Sequence, residues 1–139
     1  MKQFWRRILP ILLGIVVGTV MILGIEALSG RIYPPPPGFD FHDPEAQKRL
    51  VAAMPMGAFL LLLGGWLLGT FAGSWLAARL DDQARLRPAI LVGAFFMAGS
   101  ALNFIAIPHP HWFVALSLLC FVPIAYAGGK LGQRRPGAS

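Results

Sequence analysis

The chain has 139 residues, a length that calls for one domain. It is 56% hydrophobic and only 13% charged, with a mean hydropathy of +0.64. Soluble domains carry about 25% charged residues, so this composition argues against an ordinary water-soluble globule and points to a membrane. The formal net charge of +6 would suit nucleic acid on a soluble protein, but its placement along the chain gives it another meaning.

A spanning helix needs about 20 mostly apolar residues. Four segments supply them, predicting spans at about 8–28, 51–78, 89–107 and 112–129. The first follows a basic start and holds one charge, Glu26. A cleaved secretion signal is the competing reading, with Ala27–Ser29 as a loose cleavage site. The apolar run is longer than the about 7–15 residues of a signal core, and Glu26 would sit just before the cut. The span is therefore expected to be retained. It carries Gly14-x-x-x-Gly18, a spacing that lets helix backbones approach closely in lipid.

Next comes "RIYPPPPGFDFHDPE", residues 31–45. Gly30 is expected to end the first helix and Pro34 to prevent its recovery. Pro34–Pro37 favour polyproline II, a stiff piece of about 12 Å at roughly 3.1 Å per residue, able to cross the top of a small bundle as a strut. Tyr33, Phe39 and Phe41 suit the membrane–water boundary. Asp43 is a good N-cap, Pro44 fits the first helical position and Glu45 favours the positive helix end. One helix from Pro44 to Leu80 would run about 55 Å, too long for a hydrocarbon core of about 30 Å. A short surface helix over about 44–53 and a kink near Pro55 are therefore predicted.

The second span has Gly65, Gly69 and Gly73 at successive i+4 positions, continued by Ala77. These residues form one smooth stripe. Packing inside the bundle is favoured for it, with self-association as the alternative. The third span carries Asn103 one turn from its end, and "IPHPHW", residues 107–112, forms a tight turn. The fourth span holds Cys120, the single cysteine, which excludes an internal disulfide and reads as a small hydrophobe. Gly128-x-x-x-Gly132 lies so near the end of this span that it is expected to matter little.

Orientation follows from Lys and Arg. Lys2, Arg6 and Arg7, then Arg79, Arg85 and Arg87, then Lys130, Arg134 and Arg135 make nine on one side. Arg31, Lys48 and Arg49 make three on the other. Both termini are therefore expected in the cytoplasm, and the net charge is mostly a topology signal, with no nucleic-acid partner called for. The short connections predict an all-α integral membrane protein, an up-down-up-down four-helix bundle with a Pro-rich outer loop.

The outer side collects polar residues. Glu26 lies about 12 Å from the midplane at 1.5 Å per residue. Carboxylates within spans are rare and usually face the bundle interior or water. Negative charge is also unfavourable near a helix C-terminus, so the charged carboxylate is disfavoured unless a cation pairs with it, with Arg31, Lys48, Arg49, His109 and His111 as the candidate partners. Glu26, Asn103, His42, His109 and His111 are expected to gather at one face. The first reading is a hydrogen-bonded cap that locks the outer loops. The second is a site for a solute, proton or lipid headgroup. The third is a metal or haem site, in which His109-x-His111 offers two imidazoles and Glu26 or His42 completes the set, although the spacing matches no specific metal motif. No catalytic constellation, phosphate-binding loop, quinone or flavin signature stands out, and no cofactor is called for beyond contacts with membrane lipid.

The pieces "IEAL", "YPPPPG", "DPEA", "GTFAGSWLAARL" and "IPHPHWF" resemble a family of small four-span bacterial inner-membrane proteins of unknown function, over nearly the whole chain. The resemblance implies the bacterial inner membrane and the same topology, and implies no activity. Three functions compete. One is an accessory subunit or assembly factor within a larger membrane complex. Another is a small transporter or channel, a homo-oligomer using the cluster around Glu26. The last is a membrane enzyme acting on a lipid or quinone, with Glu26 and a histidine as acid–base pair.

Overall fold

The computed structural model describes residues 1–83 and 85–134. They form five helices, α1 (Lys2–Ile32), α2 (Pro44–Ala52), α3 (Met56–Leu80), α4 (Arg87–Ala106) and α5 (His111–Gly132). All but α2 are long and apolar enough to cross a membrane, so the chain is an all-α, four-span bundle. Arg135 of the basic tail lies outside the described residues.

α1 outruns its expected span at both ends. Gly30 does not stop it; the helix passes through this glycine, which has open space around it. It ends at Tyr33, at φ −123° and ψ 71°. The ring of Pro34 drives the preceding residue out of the helical region. At 1.5 Å per residue α1 is about 46 Å long, so its ends stand clear of a roughly 30 Å core or the helix tilts.

The proline stretch ends in a turn at its last residue. The Phe39 N–H donates to the Pro36 carbonyl at 3.2 Å, closing a turn with Pro37 and Gly38 at its centre. Gly38 sits at φ +77°, which a type II turn requires at that place. A second turn follows, Asp43 N–H to the Asp40 carbonyl at 3.3 Å. The loop thus folds back along α2, where Pro36, Pro37 and Phe39 share a groove with Ala46, Leu50 and Ala53. The Asp43 carboxylate caps α2 as expected, accepting the Glu45 N–H at 2.9 Å, with Pro44 as first residue. Near Pro55 the chain breaks rather than kinks. α2 ends at Ala52, Pro55 is extended and α3 starts afresh at Met56.

α3 is the hub, touching α1, α4 and α5, while α1 and α5 do not meet. Glycines set the register. Gly14 of α1 opposes Gly73 of α3, and Gly18 opposes Gly69, so the two helices run antiparallel. Gly128 and Gly132 of α5 lie on the backbone of Phe71 and Trp75, so α3 and α5 run parallel. Gly93 meets Ala125 and Ala89 meets Gly129, so α4 and α5 are antiparallel. This is the up-down-up-down order.

A Cβ on Gly14 would stand 2.5 Å from the Gly73 carbonyl oxygen, and one on Gly18 2.7 Å from that of Gly69. The stripe Gly65, Gly69 and Gly73 is buried against α1 and therefore faces into the fold. Gly128 and Gly132 matter more than their late position suggested. A Cβ on Gly128 would stand 2.5 Å from the Phe71 carbonyl oxygen, so this pair is the α3–α5 seam.

The two ends of the bundle are packed differently. Glycines draw the backbones together at the basic end. Toward the other end aromatic rings fill the space between the same helices. Trp66 of α3 lies 5.6 Å from Phe113 and 6.5 Å from Phe121 of α5, and 5.8 Å from Phe104 of α4. The buried hydroxyls are satisfied. Thr70 and Ser117 bond to carbonyls one turn back, at 2.8 and 2.7 Å, and Ser74 reaches the Ala89 carbonyl of α4 at 3.1 Å. At the basic end Arg6 pairs with Asp82 at 3.7 Å, and Arg134 Nε donates to the Arg79 carbonyl at 3.2 Å. The N-terminus, the α3–α4 loop and the end of α5 are therefore gathered together.

Candidate functional site: a polar notch between α1 and α4

α1 and α4 touch where Gly14 and Gly18 meet Val92 and Phe96. Beyond Phe96 they enclose a cavity of about 260 Å³. Its apolar wall includes Ile22, Leu23, Phe95 and Phe96. Its polar lining comes from Thr19 and Glu26 of α1, Ser100 and Asn103 of α4, and Trp66 of α3. Leu23 and Phe95, more than half exposed, flank the opening on the side of the bundle. The depth of the notch follows from the packing. Gly18 lets Phe96 lie on α1, and the bulk of Trp66 and Phe121 then keeps the helices apart above it.

Glu26 has no cationic partner among the described residues. Its Oε1 accepts the indole N–H of Trp66 at 2.9 Å. The cations proposed for it are engaged or placed elsewhere. Lys48 pairs with Glu45 at 2.8 Å and Arg49 with Asp43 at 3.7 Å, both on or beside α2. Arg31 is exposed at the end of α1. Trp66 is the residue that sequence reasoning missed. Its signal was available, because Trp in membrane proteins prefers the interfaces and a buried indole N–H needs an acceptor. A tryptophan in mid-span therefore pointed to the one carboxylate within the spans. Glu26 is half-buried and lines the notch, and its Oε2 has no hydrogen-bond partner among the described residues, so this oxygen is accessible to a donor.

The five residues expected to gather at one face divide into three groups. Glu26 and Asn103 share the notch. His109 and His111 line a different groove with Phe104, Ile105 and Val114. His109 Nδ1–H donates to the Ile107 carbonyl at 2.7 Å, and its ring stacks on Phe113 at 5.6 Å. Burial pushes the imidazole pKa of His109 down, against a smaller upward pull from the Ile107 bond. His42 stands in the exposed loop, 3.4 Å from Asp40. Among the described residues no group of three or more His, Cys, Asp or Glu is placed to hold a metal ion.

The arrangement can accept hydrogen bonds from a donor entering sideways from the membrane, and Asn103 and Ser100 can both donate and accept there. It brings no histidine to Glu26. Comparison with protein-family models, with curated proteins and with solved structures returned no match.

Proposed function

We propose that the protein is a non-catalytic accessory subunit or assembly factor of a bacterial inner membrane, with both termini cytoplasmic, that receives a transmembrane segment of a partner protein in the notch. One observation carries this reading: Glu26, with one carboxylate oxygen unpaired among the described residues, lines a cavity that opens on the flank of the bundle. A carboxylate at that depth is expensive unless a donor meets it. A partner helix bearing a hydrogen-bond donor or a cation supplies one and covers the flanking Leu23 and Phe95. The enzymatic reading is weaker, because its acid–base pair needs a histidine beside Glu26 and His109 lines a separate groove. The transport reading is weaker too, because the notch ends where the Phe96 ring lies on Gly18.

Site-specific photo-crosslinking in native membranes tests this. A photoreactive residue at Ser100 or Leu23 is expected to capture one defined membrane protein, while one at Leu119, on the exposed face of α5, captures none. Glu26→Gln keeps an acceptor for the Trp66 N–H, so abundance stays near native while the yield of adduct falls. Absence of any adduct, together with Glu26-dependent ion flux through vesicles of the purified chain, would overturn the proposal in favour of transport.

A further inference from the structure

The same pair of helices encloses a second cavity at the opposite, basic end of the bundle. It measures about 310 Å³. Three segments bring an arginine to it: Arg7 from α1, Arg85 from the α3–α4 loop and Arg87 from the first turn of α4. Its deeper wall is apolar, with Ile8 and Ile11 on one side and Leu91 on the other. The basic end carries other cations, and two of them are already engaged, Arg6 with Asp82 and Arg134 with the Arg79 carbonyl. Arg7, Arg85 and Arg87 have no ion pair among the described residues. One carboxylate also lines the cavity. Asp81 is 8% exposed, and its Oδ2 accepts the backbone N–H of Arg85 at 2.9 Å, which pins the loop that presents Arg85. Three guanidinium groups against one carboxylate leave the cavity strongly cationic.

Depth identifies the ligand. Arg7 immediately precedes the apolar run that starts at Ile8, and Arg87 precedes that of α4. Exposed Phe4 and Trp5 flank the same level, where aromatic side chains mark the membrane boundary. The guanidinium groups therefore lie at headgroup level, and Ile11 stands about 6 Å deeper, one helical turn into the hydrocarbon. A soluble anion would use the arginines and leave the apolar wall idle. A phospholipid uses both. Guanidinium suits phosphate because its planar fork donates two parallel hydrogen bonds.

We infer that this cavity is a binding site for an anionic phospholipid of the leaflet at the basic end, with Arg7, Arg85 and Arg87 on the phosphate and an acyl chain along Ile8, Ile11 and Leu91. Basic pockets between membrane helices at the cytoplasmic side bind such headgroups in general. This inference does not depend on what occupies the Glu26 notch.

The full chain, purified in detergent, is titrated with phosphatidylglycerol and separately with phosphatidylcholine, and bound lipid is counted by native mass spectrometry. Phosphatidylglycerol is expected to bind at least about tenfold more tightly, as a unit charge near each of three cations predicts. The Arg7→Gln, Arg85→Gln, Arg87→Gln triple variant loses that preference. A control triple, Lys2→Gln, Arg79→Gln, Lys130→Gln, removes the same charge from the same end outside the cavity and keeps it. Should the first triple fail to fold, Arg7→Lys with Arg87→Lys retains the charge and loses the fork, and a severalfold weakening is expected. Equal losses in the two glutamine triples would overturn the site and leave only diffuse surface charge. Displacement of phosphatidylglycerol by glycerol phosphate at equal concentration would also overturn it, since a soluble phosphate would then suffice.

Discussion

At the scale of single residues, the half of the molecule opposite the basic end is held by polar groups bonded to aromatic neighbours or backbone carbonyls. Glu26 accepts from Trp66, and His109 donates to Ile107 while stacking on Phe113 and meeting Phe104 edge-on at 5.1 Å. Burial favours the neutral imidazole of His109, so its pKa in the folded chain lies below the about 6.5 of the free side chain. The sign of the consequence follows. Between the two values the unfolded chain binds the extra proton, so stability rises with pH there. The contribution is complete above about pH 6.5 and is lost as pH falls through the lower, folded value. His111 shares the groove but is exposed, and His42 stands apart in the loop. Thermal unfolding in detergent is therefore expected to show a melting temperature that drops as pH is lowered below about 6.5. His109→Gln flattens that drop. An unaltered pH profile in His109→Gln would show that the stacked imidazole does not titrate between the two states.

At the scale of elements, glycine does the work that burial of apolar surface does in water. Lipid is as apolar as leucine, so helix pairs are held by close approach. That predicts a ranking among substitutions of one kind. Gly14→Ala places a Cβ 2.5 Å from the Gly73 carbonyl oxygen and 3.1 Å from Val92, and backbone cannot give way cheaply. It is expected to cost about 1–3 kcal/mol, as overpacked cores do. Gly65→Ala has no carbonyl oxygen among its nearest contacts but meets Ile25 at Cγ2, 2.7 Å, and Cβ, 3.0 Å, so a small shift of the helices is needed and its cost is expected below that of Gly14→Ala. Gly24→Ala meets nothing within 4 Å and should be neutral, or stabilising by up to about 1 kcal/mol through helix propensity. Unfolding of the three variants in mixed micelles checks the order, and equal effects at Gly14 and Gly24 would mean that the α1–α3 seam is loose. The stripe on α3 was legible because i+4 spacing is local to one helix. The seam at Gly128 and Gly132 was not, because it depends on how α5 is offset along α3, and that offset is written in neither helix alone. The cap at Asp43 and Pro44 was legible for the same reason of locality. The end of α1 was misread at Gly30, because glycine permits a helix stop without imposing one, whereas Pro34 imposes it one residue ahead.

At the scale of the whole molecule, charge and packing share one axis. The glycine-packed end holds nine Lys and Arg against Asp81 and Asp82, a balance of +7, while the other end carries Glu26, Asp40, Asp43 and Glu45 against Arg31, Lys48 and Arg49, a balance of −1. That asymmetry was readable from the chain, as were the four spans. The candidate sites were readable only in part. Depth can be counted along one helix, and Glu26 and Asn103, counted to one level, line one cavity. Which helix flank each residue faces depends on rotation about the helix axis, and that is why the histidines fell into a separate groove. The same axis predicts orientation. With basic segments retained in the cytoplasm, position 83 of the α3–α4 loop faces inward and position 40 of the proline loop outward. In a Cys120→Ser background, Asp40→Cys is expected to react with a membrane-impermeant maleimide in intact spheroplasts, and Gln83→Cys only after the membrane is opened. Both positions are exposed, so reactivity reports sidedness rather than burial. The reverse pattern would turn the molecule over and move the arginine cavity to the outer leaflet. Reaction of both without opening the membrane would mean mixed orientations, which a nine-to-three bias of Lys and Arg should prevent. The expected pattern has a further consequence. It places the Glu26 notch toward the outer leaflet and the arginine cavity in the inner one, so a partner helix in the notch and a phospholipid in the cavity would occupy the same α1–α4 groove from opposite sides of the Gly18–Phe96 contact.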